Sequence, residues 1–109
     1  MNQIFDNLYT LLDRDLKSVI EISNDFYNQL KEDLPTILSL IELNHYSEAK
    51  KLAHKLKGSS MNFHLPLMTE AFITLENSLE SQFYEESIAN YHLIKKEMSV
   101  FYDQLKKLQ

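Results

Sequence analysis

The sequence contains no cysteine and no tryptophan, and only one glycine and two prolines in 109 residues. The lack of cysteine excludes disulfides and thiol chemistry, which suits a cytoplasmic protein, the location that we expect. So few turn-forming residues leave little room for the tight turns of an all-β fold, and the composition therefore predicts an all-α protein. At this length we expect a single domain over residues 1–109.

Long apolar runs and a positive balance of charge are also missing. No stretch is apolar enough to predict a membrane-spanning helix or a signal peptide. The net charge of −5 argues against nucleic acid as the main partner. The four histidines lack the spacing of helical metal ligands, and no phosphate-binding glycine loop is present. We therefore expect no metal site and no cofactor in this chain.

Helical periodicity predicts a series of helices joined by short connections. Pro35 and Pro66 are each expected to begin a helix, and Ser47 to cap the one that follows the turn at residues 44–46. Short connections favour antiparallel neighbours, so we predict an antiparallel up-down four-helix bundle with one or two short additional N-terminal helices. The predicted helices cover about residues 4–12, 15–32, 35–43, 48–62, 66–80 and 84–107.

The only glycine, Gly58, lies within the fourth of these helices, four residues after His54. Inside a helix glycine costs roughly 1 kcal/mol relative to alanine, which indicates a reason beyond folding. Residues four apart share one face of a helix, so Gly58 leaves free space beside His54. On a helical wheel His54 lies about 140° from the centre of the apolar face, and we predict that its imidazole is exposed.

Basic residues are concentrated around His54. Four of the eleven lysines and arginines fall within eight positions of sequence: Lys50, Lys51, Lys55 and Lys57. A basic spot on an acidic protein indicates an anionic ligand or an acidic patch on a partner. An ordinary solvated helix face explains the same pattern, and charge alone does not separate the two.

The heptapeptide His54-Lys55-Leu56-Lys57-Gly58-Ser59-Ser60 resembles the His-x-Leu-Lys-Gly-Ser-Ser signature of histidine phosphotransfer (HPt) domains. The resemblance covers about residues 12–108 and includes the Leu75-Glu76 pair that closes an apolar stripe. It implies that His54 accepts a phosphoryl group from an aspartyl phosphate on a receiver domain and relays it to another receiver aspartate. The chain would then be a carrier in a two-component phosphorelay and not an enzyme.

The resemblance also implies roles for neighbouring residues. Lys57 would stabilise the phosphoryl charge, and Gly58 would let the partner's active site approach. The expected partners are receiver domains of a hybrid histidine kinase and of a response regulator, which would supply the Mg²⁺, and the chain itself is expected to be a monomer. The expected contact residues on this chain are Lys50, Lys51, Met61, Leu12 and Leu16.

One departure and two alternatives remain. The family commonly has a second glycine ten positions after the histidine, where this chain has His64. A histidine can make that corner if its φ is positive. The first alternative is a phosphorylation-silent relative that docks and sequesters a receiver or kinase. The second is an inert bundle or oligomer subunit in which Gly58 permits close packing between helices.

Overall fold

The computed structural model describes residues 3–109, and the side chains from residue 5 onward. Within that range the chain forms five helices: α1 (Gln3–Leu11), α2 (Leu16–Glu42), α3 (Tyr46–Asn62), α4 (Pro66–Glu80) and α5 (Tyr84–Leu108). Helices α2 to α5 form an antiparallel bundle in which α3 packs between α2 and α4, and α5 packs against α4 and α2. The prediction of an all-α bundle with an additional N-terminal helix is confirmed. The first two residues of the predicted domain lie outside the described part of the chain.

The predicted helix break at Pro35 is wrong, because α2 continues through this proline from Leu16 to Glu42. Proline removes the hydrogen bond to the carbonyl of Lys31, at a cost of roughly 3 kcal/mol. Pro35 and Lys31 both lie on the exposed side of α2, so water can solvate that carbonyl. The buried side of α2 continues on both sides of Pro35 at spacings of three and four residues, through Val19, Ser23, Phe26, Leu30, Leu34, Ile37 and Ile41. Burial of this unbroken stripe offsets the lost hydrogen bond.

Four phenylalanines tie α1 to the bundle. Phe26 of α2 stacks on Phe63 with ring centroids 4.7 Å apart, and Phe101 of α5 meets both rings edge-on. Phe5 of α1 packs edge-on against Phe101 at 5.6 Å. Aromatic pairs in these arrangements contribute about 0.5–1.5 kcal/mol each beyond the burial of their area. None of the described helices is both long and apolar enough to cross a membrane.

The connection between α3 and α4 is made by His64 in the left-handed region, with φ of 54°. The N–H of Leu65 donates to the carbonyl of Ser60 and the N–H of His64 to that of Met61, which is the Schellman pattern usually completed by glycine. His64 therefore meets the condition of a positive φ that a residue other than glycine needs at this corner. Asn44, in the turn between α2 and α3, is also left-handed, with φ of 60°.

The N-termini of α2 and α3 are capped differently. Asp15 caps α2 by accepting hydrogen bonds from the N–H and hydroxyl of Ser18. Ser47 is not a cap, because α3 begins one residue earlier, at Tyr46, and its N-cap His45 makes no side-chain capping bond. Tyr46 instead donates its hydroxyl hydrogen to the side chain of Asn44 and closes the turn.

Candidate functional site

Helix α3 presents His54 to solvent because its buried residues all lie on the other side. The buried residues are Ala49, Ala53, Leu56 and Ser60. His54 projects away from this stripe, and its side chain is 70% exposed. The predicted exposure of the imidazole is confirmed.

Glu76 of α4 holds one nitrogen of the exposed ring. Its Oε1 lies 3.2 Å from His54 Nδ1, and its side chain is only 12% exposed. An ionised carboxylate has no proton to donate, so a hydrogen bond between these two atoms requires the proton on Nδ1. In a neutral imidazole the other nitrogen, Nε2, then carries the lone pair. The arrangement leaves Nε2 as a nucleophile on the side of the ring away from its carboxylate partner.

Lys57 pairs with the same carboxylate. Its Nζ lies 3.2 Å from Oε1 and 3.3 Å from Oε2 of Glu76. The Lys57 side chain is only 20% exposed. Lys57 therefore lies in the site, as predicted. It and His54 both belong to α3, and both contact the carboxylate of Glu76.

The other lysines of α3 are also largely neutralised. Lys50 contacts Glu80 of α4 at 2.6 Å, and this hydrogen bond lowers the pKa of the Glu80 carboxyl. Lys55 lies 3.6 Å from Asp33 of α2, too far for a hydrogen bond but close enough for a charge interaction. Lys51 has no ion-pair partner among the described side chains. The basic spot of the sequence is thus mostly paired with acids from the neighbouring helices.

Gly58 is exposed, and the space above it is empty. A Cβ built on this residue would meet no atom of the described chain within 4 Å, apart from its own neighbours in the helix. The alternative in which Gly58 permits close packing between helices is therefore wrong for this bundle. The opening that we expected beside His54 is present.

Ser60, on the buried side of α3, connects this helix to α4. Its buried hydroxyl donates to the carbonyl of Lys57 at 2.8 Å, and it lies 2.9 Å from the hydroxyl of Thr69 in α4. Serine bonded to its own helix in this way fits a buried position between closely packed helices. This contact holds α3 and α4 together six residues after His54.

A groove between α3 and α4, of about 690 Å³, extends from His54 to Gln82. Two of the predicted contact residues, Lys50 and Lys51, line it. Glu76 and Glu80 form its other side. The structure therefore brings the predicted lysines and the ring into one concave surface.

The three predicted apolar contacts lie elsewhere. Met61 is 55% exposed on α3, two turns after His54. Leu16 is 42% exposed near the start of α2, whereas Leu12 is half-buried against the core. Because Asp33 lies beside Lys55 in the antiparallel pair, Leu16 is about 25 Å along the bundle from the level of the ring. The structure does not bring Leu12 and Leu16 to His54, and their contact with a partner stays a prediction.

Glu76 is the site residue that the sequence-based selection of contacts missed. In the sequence it follows Leu75 and borders the apolar side of its helix, four residues after the buried Phe72. A carboxylate at that border is desolvated on folding and requires a partner. The position of Glu76 at this border could therefore have identified it from the sequence, although it does not predict which residues the carboxylate contacts.

Comparison with known proteins defines the class to which this fold and site belong. Residues 21–106 match the family model described as "Hpt domain". This match covers most of the chain, and the protein therefore belongs to the Hpt domain family, the histidine phosphotransfer modules of phosphorelays. No curated protein and no solved structure matches the chain. The resemblance carried by the heptapeptide is confirmed, and the family is one of phosphotransfer carriers with receiver-domain partners.

No group of three potential metal ligands is present among the described residues. The absence of a metal and of a cofactor stays a prediction.

Proposed function

We propose that this chain is a phosphorelay intermediate whose phospho-acceptor is Nε2 of His54. The observation that carries the proposal is the contact between Nδ1 and Glu76 on an otherwise exposed ring. The Nε2 lone pair attacks the phosphorus of a receiver's aspartyl phosphate and forms the N–P bond. The P–O bond to the aspartate breaks, and the aspartate leaves as a carboxylate. Transfer to a second receiver aspartate reverses these bond changes.

The geometry suits this reaction because phosphoryl transfer depends mainly on positioning and electrostatics. Ser60 and Thr69 fix the two helices relative to one another, and Glu76 fixes the ring relative to them. The proton on Nδ1 does not move during the attack. His54 therefore needs no general base from this chain, which agrees with a carrier that reacts only in a complex.

Receiver domains are the partners that the family implies. In the proposed complex, Gly58 gives the receiver's active site access to Nε2. Lys50 and Lys51 contact the receiver beside the ring, and Met61 contacts it two turns further along α3. The receiver supplies the Mg²⁺, one receiver belongs to a hybrid histidine kinase, and the other belongs to a response regulator. We propose that the chain acts as a monomer in the cytoplasm, which its cysteine-free composition suits.

The test is incubation with labelled phospho-receivers, comparing the wild type with His54→Gln. Acid-labile, base-stable label on the wild type and none on His54→Gln is the expected result. His45→Gln and His92→Gln are matched controls, because both histidines are exposed on the same protein, and both variants should take label. Label that persists on His54→Gln would refute the assignment of the residue.

The sequestering alternative predicts a different result in the same experiment. A folded wild type that binds receivers but takes no label from any of them would replace the relay proposal by that alternative. The departure at His64 lends the alternative little support, because His64 makes the corner with the hydrogen bonds of the usual glycine.

A further inference from the structure

The ion pair between Lys50 and Glu80 lies about one helical turn from the ring of His54. On α3, Lys50 precedes His54 by four residues, and on α4, Glu80 follows Glu76 by four. Residues four apart share one face of a helix, so the two contacts between these antiparallel helices are neighbours. Lys50 Nζ is 2.6 Å from Glu80 Oε2, and His54 Nδ1 is 3.2 Å from Glu76 Oε1. A charge added to the ring is therefore added beside the Lys50–Glu80 pair.

A phosphoryl group on Nε2 changes the balance of charge in the groove. Side chains on a helix lean toward its N-terminus, so the ring of His54 leans toward the turn that carries Lys50. The charged side chains that line the groove with the ring are two basic and two acidic residues: Lys50, Lys51, Glu76 and Glu80. A phosphoryl group carries about two negative charges at neutral pH. Phosphorylation therefore gives the groove an excess of negative charge.

Lys50 can move to the phosphoryl group at little cost. Its side chain is 39% exposed and that of Glu80 is 70% exposed, so water solvates the carboxylate when the ammonium leaves. The ammonium is carried on a flexible four-carbon stem and can change its partner without a change in the helix. Lys57 differs, because it and Glu76 are only 20% and 12% exposed, and separating a covered ion pair is costly. Lys51 has no ion-pair partner among the described side chains and therefore none to exchange.

We propose that Lys50 exchanges one anion for another during the relay. It pairs with Glu80 while His54 is unmodified, and it binds the phosphoryl oxygens once the N–P bond has formed. Because Glu80 competes for the same ammonium, the pair sets how far transfer proceeds toward the phosphorylated carrier. The proposal rests on the proposed function of His54 and leaves its bond changes as they are. The heptapeptide that carries the family resemblance contains neither Lys50 nor Glu80.

The first measurement is the equilibrium ratio of label between a phospho-receiver and the carrier, at concentrations where their complex is dissociated. There, a docking role of Lys50 changes how fast the ratio is reached and leaves its value unchanged. Lys50→Met should shift label away from the carrier by roughly 3- to 10-fold, the effect of one hydrogen bond. Glu80→Gln should shift label toward the carrier by roughly 2- to 5-fold, because Lys50 then has no exposed ion pair to break.

The double variant separates an exchange of partners from a general effect of charge. If Lys50 leaves Glu80 on phosphorylation, the effect of Glu80→Gln should be at least about twofold smaller in the Lys50→Met background. Residues that stay paired would give additive shifts. The shift caused by Lys51→Met should be the same with and without Glu80→Gln. Lys96→Met, an exposed lysine of α5, is the matched control and should leave the ratio unchanged.

The second measurement needs no receiver. Phosphoramidate phosphorylates histidine directly: the ring nitrogen bonds to phosphorus, the P–N bond of the reagent breaks, and ammonia leaves. The ³¹P NMR signal that is missing in His54→Gln belongs to phosphorylated His54. A neighbouring ammonium favours the dianion of the phosphoryl group, so this signal should titrate at a higher pH in Lys50→Met than in the wild type. The expected difference is roughly 0.5–1, equivalent to the same 3- to 10-fold effect. Lys96→Met should titrate as the wild type does.

Two results would overturn the proposal. One is titration of the phosphoryl group at the same pH in the wild type and Lys50→Met, because the ammonium would then not reach it. The other is additive shifts of the equilibrium by Lys50→Met and Glu80→Gln, because Lys50 would then keep its partner. A wild type that takes label from no receiver would refute the proposed function of His54. The chemically phosphorylated protein would still show whether Lys50 reaches the phosphoryl group.

Discussion

Replacing Gly58 by alanine measures how much this glycine lowers the stability of the fold, separately from the access that it gives to His54. Glycine within a helix is less favourable than alanine by roughly 1 kcal/mol. Gly58 does not have a positive φ, so alanine fits the backbone without strain. The added Cβ would meet no described atom within 4 Å beyond its helix neighbours, and nothing subtracts from the gain. We therefore expect Gly58→Ala to raise the free energy of unfolding by about 1 kcal/mol.

Thermal and urea unfolding followed by circular dichroism measure this gain. For a domain of this size 1 kcal/mol corresponds to a rise in Tm of about 4–8 °C, and the urea midpoint should rise without a change in slope. A lower Tm would refute the reasoning, because it would mean that some element of the folded chain occupies the space above Gly58.

A larger side chain at the same position tests the access role. Gly58→Gln should also be at least as stable as the wild type, since glutamine is a good helix former. It should nonetheless accept the phosphoryl group much more slowly, because its side chain reaches back over the preceding turn, where His54 lies. Ala89→Gln, an exposed position of α5, is the matched control. Normal transfer by Gly58→Gln would contradict the access role.

Two further predictions concern stability. His64→Gly should raise the urea midpoint by an amount equivalent to about 1 kcal/mol, because glycine removes the side-chain penalty of a positive φ; no gain would mean that the histidine side chain offsets that penalty. Hydrogen bonds from Ser18 lower the pKa of Asp15, as a hydrogen bond from Lys50 lowers that of Glu80. Their stabilisation is therefore present above the ordinary carboxyl pKa and is lost as the pH falls through the lowered values. Tm against pH should fall less steeply on the acid side in Asp15→Asn than in the wild type, and equal slopes would contradict this.

The helices could be predicted from the sequence wherever apolar periodicity and breakers agree. At Pro66 both signals coincide and the helix begins at the proline. At Pro35 they conflict, and the periodicity decides, because the apolar residues on its two sides keep one phase. Proline removes one backbone hydrogen bond, whereas the apolar stripe is buried along the whole helix. The free energy of this burial is larger here than the cost of the lost hydrogen bond.

The site was predictable only in the part that lies on one helix. The exposure of His54 and the space beside Gly58 follow from the phase of α3 alone. The pairing of Lys57 with Glu76 depends on the relative height of α3 and α4, which no periodicity within one helix specifies. For the same reason α3 is more basic in the sequence than on the folded surface. The neutralising acids, Asp33 and Glu80, come from other helices.

The distribution of left-handed residues indicates what Gly58 is for. Glycine is the favoured residue at the left-handed position after a helix and is unfavourable within one. In the described chain this preference is reversed, because positive φ is adopted by Asp13, Arg14, Asn44, His64 and Gln82, each a residue with a side chain. The only glycine is at an exposed position within α3, where the fold would gain from any other good helix former. Neither the side chains at the left-handed positions nor the glycine within α3 stabilise the fold. Beyond its helix neighbours, no described atom fills the space above Gly58. We therefore expect that space to receive a surface from outside the chain, one helical turn from the histidine that we propose as the phospho-acceptor.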